Sequence, residues 1–144
     1  MNEHTVTTRV FLLEDSAQDR QFLDIVTRRA ALDIDWQWCD SCAAGRTLLE
    51  AIAGGEAPTP DLAILDLRLG DGSGCDLLPD LRRSLPAKLP VVIFSTSSSE
   101  QDRACFTDEP NLRYLVKPQT MAGYDEIIAV IRDTAAEHGQ RYRA

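Results

Sequence analysis

Leu62-Ala63-Ile64-Leu65, running directly into Asp66, is an unbroken apolar run with no polar residue at alternate positions. A strand half-exposed to water alternates; one covered on both faces does not, and that is the situation in a parallel sheet sandwiched between helices. Val10-Phe11-Leu12-Leu13 upstream and Val91-Val92-Ile93-Phe94 downstream read the same way, so these three runs are predicted to be central strands. Ile34-Asp35-Trp36-Gln37-Trp38 alternates, and Tyr114-Leu115-Val116 is short. Both read as edges.

The segments between carry helical periods. Ser16 with Asp19 three residues on resembles a capping box, followed by the stripe Phe22, Val26, Ala30. Ala44, Leu48 and Ile52 form a second stripe closed by Gly54-Gly55, and Leu77, Leu78, Leu81 and Leu85 a third, stopped by Pro86. Glu100 to Thr107 is a weak fourth; Tyr124, Ile127, Ile128, Ile131 and Ala135 make a strong fifth. Strands joined through helices cannot be hairpin neighbours, so the expected fold is α/β: a doubly wound parallel sheet of five strands with helices on both faces.

Composition agrees with one folded domain. The chain has 144 residues, 44% hydrophobic and 26% charged, which suits a molecule with a core and excludes a disordered acidic tail. With 15 Lys+Arg against 23 Asp+Glu the net charge is −8, and no basic run offers phosphates a positive face, so nucleic acid is not an expected partner. Met1 to Arg9 is polar, and nothing approaches the ~20 apolar residues of a membrane span. A cytoplasmic location follows as the expectation, with Cys39, Cys42, Cys75 and Cys105 as reduced thiols, Cys75 and Cys105 serving as small apolar packers.

In such a sheet the chemistry sits beyond the carboxyl ends of the strands. Those positions hold Glu14 and Asp15, then Asp66, then Ser95 and Thr96, then Lys117 followed by Pro118. Three carboxylates in one crevice repel unless a positive charge sits among them. An all-oxygen ligand set favours Mg²⁺, which accepts a phosphate oxygen as a further ligand. Asp66 is then placed to act as nucleophile toward a phosphoryl group, giving an acyl phosphate, with Ser95 donating to one phosphoryl oxygen and Lys117 neutralising another.

At this point the chain resembles the receiver domain of two-component response regulators. The likeness runs from about Arg9 to Asp133 and rests on VFLLED (Val10 to Asp15), LAILDLRLGDGSG (Leu62 to Gly74), LPVVIFSTS (Leu89 to Ser97) and YLVKP (Tyr114 to Pro118). It implies a single receiver domain over 1–144, with a core of about 9–133 and a flavodoxin-like strand order 2-1-3-4-5. It further implies Asp66 as phosphoacceptor, with Mg²⁺ on Glu14, Asp15, Asp66 and the Arg68 backbone carbonyl. Ser95 and Tyr114 become the switch pair, Lys117 the phosphate-neutralising lysine, and Lys117-Pro118 a cis peptide. Arg68 and Ser97 are the positions that tune phosphate lifetime in the family.

The implied function is that of a stand-alone response regulator. It takes phosphate from a sensor histidine kinase, of phytochrome type by a narrower likeness, or from a phosphotransfer protein, and it signals by binding a downstream protein target, a homodimer being a further form of association. It is not an enzyme beyond promoting its own phosphorylation and dephosphorylation. Departures from the family are Gly70 where proline is usual, Gln119 where an apolar residue often follows Lys-Pro, and Thr107 to Arg113, which lacks a small Gly-Ala step.

Three other readings compete. Trp38-Cys39-Asp40-Ser41-Cys42 is what thioredoxin-like redox proteins show, although it leaves the acidic rim unexplained. A flavodoxin-like nucleotide binder would need a phosphate loop where Glu14 and Asp15 stand. A degenerate receiver acting only as a non-phosphorylated binding module would not need the intact acidic set.

Overall fold

A computed structural model describes residues 6–96, 104–106 and 109–143, the side chains of 138–143 excepted. The strands are β1 (Thr8–Leu13), β2 (Ile34–Cys39), β3 (Leu62–Leu65), β4 (Val91–Ser95) and β5 (Leu112–Val116). The helices are α1 (Ala17–Arg29), α2 (Cys42–Ala53), α3 (Gly74–Ser84) and α4 (Asp125–Arg143), with a 3₁₀ turn at Met121–Tyr124. All strand pairs are parallel, in the order β2-β1-β3-β4-β5. The two alternating or short runs are therefore the edges, and the three unbroken ones the centre.

Successive strand residues point to opposite faces, which splits the core into two layers. Phe11, Leu13, Ala63, Leu65, Val91 and Ile93 pack with Leu49, Ile52, Leu77 and Leu81 of α2 and α3. Val10, Leu12, Leu62, Ile64, Val92 and Phe94 pack with Leu23, Val26, Ile127 and Ile131 of α1 and α4. Each central strand is thus apolar on both sides because helices cover both sides. No helix among the described residues is long and apolar enough to cross a membrane.

Several local expectations need correction. The reciprocal capping box is at Ser73 and Asp76, opening α3, while Ser16 caps α1 by accepting from the Asp19 amide without a return bond from the Asp19 carboxylate. α3 ends at Ser84, since a residue before proline is disfavoured in the helical region and Leu85 is extended. The weak fourth helical stretch lies outside the described residues except for 104–106. Cys75 and Cys105, expected as separate reduced thiols, form a disulfide with Cα atoms 6.2 Å apart. A reducing compartment bears on whether a disulfide persists, not on whether two cysteines 30 residues apart meet, and the fold brings them within bridging distance. Cys39 and Cys42 are free and buried.

Two glycines set the approach of loops to the rim. A Cβ on Gly74 would lie 2.4 Å from the Asp66 carbonyl oxygen, so only glycine lets α3 start this close to the end of β3. A Cβ on Gly123 would lie 2.3 Å from Pro118 Cβ, so the 3₁₀ turn packs directly on the residue after Lys117.

Candidate functional site

The rim is assembled by the sheet register. Leu13 and Leu65 are paired, so the residues following β1 and β3 emerge side by side, and the Asp66 amide donates to the Leu13 carbonyl at 2.9 Å. Carboxylate oxygens of Glu14, Asp15 and Asp66 consequently lie within 4.8 Å of one another, Glu14 and Asp66 buried and Asp15 exposed. Ser95 ends β4 fully buried, and its carbonyl accepts from the Lys117 amide at 2.9 Å, which fixes the start of the segment after β5.

From the edge strand, Lys117 reaches inward. Its Nζ donates to Glu14 Oε1 at 2.5 Å, Asp66 Oδ2 at 2.8 Å and Asp19 Oδ2 at 2.8 Å, with its side chain only 7% exposed. Asp19 is the residue that sequence reading missed. In the sequence it reads as a helix-capping acid, yet its side chain turns to the lysine; its position in the first turn of α1, close after Glu14 and Asp15, is the one signal the sequence carries.

The acids are held individually. Glu14 Oε2 accepts from the Ser16 amide at 3.1 Å, and Asp66 Oδ1 from the Arg68 amide at 3.2 Å. The Glu14 carbonyl accepts from Trp38 Nε1 at 2.7 Å, and the Arg20 guanidinium stacks 4.3 Å over the Trp38 ring. The loop after Asp66 is moored by Asp71, whose carboxylate accepts from the Cys42 and Ala43 amides at 2.8 and 3.0 Å. Those amide bonds hold the Asp71 carboxyl below its usual range.

Burial pushes the Glu14 carboxyl up to about 7, outweighing the Lys117 ammonium beside it. Burial opposes the charge on Lys117 too, but its carboxylate partners prevail and hold it above its ordinary range. The Glu14 shift has a sign that can be tested. A carboxyl raised on folding makes the folded state bind more protons, so the stability it contributes is complete below its ordinary value of 4.5 and is lost as pH rises through about 7. In chelator, urea unfolding is expected to show a loss of about 3 kcal/mol across that window from this group alone. Glu14→Gln should flatten it, and an unchanged pH slope in Glu14→Gln would contradict the assignment.

Of the other sequence-predicted residues, Arg68 follows Asp66 in the same loop, exposed, and Ser97 lies outside the described residues. Tyr114 is partly buried on β5, edge-on to Phe106 with ring centroids 6.5 Å apart. The Lys117–Pro118 peptide, expected cis, is trans. Trans is the intrinsically favoured isomer, and in this arrangement Lys117 reaches Glu14 and Asp66 without the cis bond. The Trp-Cys-x-x-Cys segment lacks a reactive thiol: burial and the Asp40 charge push Cys39 up to about 11, and burial also raises Cys42, opposite to the depression that redox catalysis uses.

The donor set suits a divalent cation. It is all oxygen, it contains no histidine or cysteine, and a cationic ammonium already lies among the acids, marking the place as one that draws positive charge.

Comparison with known proteins agrees. A family model described as response regulator receiver domain matches residues 10–131. The KDP operon transcriptional regulatory protein KdpE of Escherichia coli is 35% identical over 132 residues, covering 91% of this chain and 52% of that protein, so the chain spans about half the length of this relative. Response regulator Rcp1 of Synechocystis is 30% identical over 95 residues, 65% of each chain, and its Mn²⁺-bound crystal structure superposes with a TM-score of 0.71 at 24% identity, covering 86% of this chain and 91% of that one. The phosphorylated cyanobacterial phytochrome response regulator RcpA gives a TM-score of 0.69 at 22% identity over 88% of this chain and 92% of that one.

Proposed function

The chain belongs to the response regulator receiver family, and from that premise we propose that it accepts a phosphoryl group on Asp66 and signals through phosphorylation-dependent protein–protein contact. The observation that carries this reading is the convergence of Lys117 Nζ on Asp66 and Glu14, at 2.8 and 2.5 Å, within an acidic cluster. In the reaction one Asp66 carboxylate oxygen attacks phosphorus in line, and the bond to the donor breaks, leaving the donor imidazole or carboxylate with the electron pair. Lys117 neutralises charge on the phosphoryl oxygens. Ser95 donates its hydroxyl to another, and Tyr114 follows it, remodelling the surface around β5 and α4.

Glu14, Asp15, Asp66 and the Arg68 carbonyl would hold Mg²⁺, which when bound neutralises both the acids and the incoming group. The Asp71 mooring keeps the Arg68 loop in register with Asp66 for this purpose. The phosphoryl donor is a sensor histidine kinase or phosphotransfer protein working in the cytoplasm. RcpA, a cyanobacterial phytochrome response regulator, shares the fold, and a phytochrome-type kinase is the donor we propose.

Incubation with Mg²⁺ and a small acyl phosphate, followed by intact mass measurement, is expected to show one phosphoryl group per chain. The adduct should vanish in Asp66→Asn and in chelator. An adduct persisting in Asp66→Asn would move the acceptor elsewhere. A flavodoxin-like nucleotide site or a thioredoxin-like dithiol gains no support from the rim or from the raised thiols.

A further inference from the structure

Cys75 is the second residue of α3, whose first residue, Gly74, lies against the Asp66 carbonyl. Its partner Cys105 is exposed and directly precedes Phe106, which is buried and packs edge-on to Tyr114. The Cys75–Cys105 bond is therefore a covalent tie between the neighbour of the acceptor loop and the neighbour of the aromatic on β5. We propose that this pair is a reversible redox modification site, closed by a low-molecular-weight disulfide, whose closed form clamps the Phe106 segment and restrains the movement of Tyr114. The restraint on signalling rests on the phosphoacceptor reading above; the existence of the clamp does not.

Closure balances as thiol–disulfide exchange. The Cys105 thiolate attacks the reagent disulfide and releases one reagent thiol; Cys75 then attacks Cys105 sulfur, forming the intramolecular bond and releasing the second thiol. Two protein thiols are oxidised, one reagent disulfide is reduced, and the two protons pass to the departing thiols. Exposure of Cys105 supplies the entry point, because exchange needs access to the attacking thiolate. Cys39 and Cys42 are poor competitors, since both are buried and both thiols are raised above their ordinary value.

The test uses the whole chain in glutathione buffers from fully reduced to fully oxidised, with thiol counting and peptide mapping. Two thiols are expected to disappear together as a Cys75–Cys105 linkage, and neither Cys75→Ser nor Cys105→Ser should form it. Failure to close in the oxidised buffer, or a linkage between other cysteines, overturns the proposal. Amide exchange is then compared at Phe106 and across β5 in unphosphorylated protein. Oxidation should slow it at least several-fold in wild type and leave Cys105→Ser unchanged; equal rates in both redox states overturn the clamp. With acyl phosphate and Mg²⁺ added, the reduced form should respond across β5 and the oxidised form less. Absence of an adduct in both redox states counts against the phosphoacceptor reading, while an adduct with the same β5 response in both overturns the restraint.

Discussion

Lys117→Met is expected to destabilise the chelated protein by about 3–5 kcal/mol at pH 8, because removing one member of a buried charged cluster leaves its partners uncompensated. Glu14, Asp66 and Lys117 side chains are exposed by only 2%, 8% and 7%, so water cannot take over the lost contact. Methionine keeps most of the stem volume, and the loss therefore reports charge rather than packing. Two features separate this account from simple loss of a packed side chain. Without its ammonium partner the Glu14 carboxyl rises further, so the deficit should shrink as pH falls and the acid takes up a proton. A divalent cation should shrink it as well, because acids left without the ammonium bind a cation more tightly than those of the wild type, and only in the folded state. Urea unfolding of wild type and variant at pH 5 and 8, with and without Mg²⁺, gives the comparison; a deficit indifferent to both pH and metal would show that the lysine merely fills space.

Gly74→Ala should cost about 3 kcal/mol and reduce phosphoryl uptake at least tenfold, a reversal of the usual gain of up to ~1 kcal/mol when alanine replaces glycine in a helix. The added Cβ would sit 2.4 Å from the backbone oxygen of Asp66, and backbone cannot move aside as a flexible side chain can. Either α3 shifts outward or Asp66 is displaced from Lys117. Gly70→Ala, in the loop leading to α3, is the control, since a Cβ there meets nothing within 4 Å. Thermal melts and acyl-phosphate labelling of both variants test the point, and a Gly74→Ala protein as stable and as readily labelled as Gly70→Ala would refute the close-approach argument.

The three central strands were legible because burial on both faces leaves short unbroken apolar runs, Val10 to Leu13, Leu62 to Leu65 and Val91 to Phe94, too short for typical helices. The edges were legible from Asp35 and Gln37, which break the apolar run of β2 at alternate positions, and from the shortness of Tyr114 to Val116. The acidic rim was legible because a parallel sheet puts every strand's carboxyl end on one side, so Glu14, Asp15, Asp66 and Lys117 had to meet whatever the loops did.

Chain order alone thus determined the sheet's layers and which residues gather at its rim, since both follow from periodicity and strand direction. Tertiary structure alone decided who partners whom there. It turned the Asp19 carboxylate from its helix cap to Lys117, moored Asp71 on the amides of α2, kept Lys117–Pro118 trans, and brought Cys75 to Cys105. Each of those choices depends on distances between elements remote in sequence, set by how helices pack on the sheet, and local pattern holds no record of such distances.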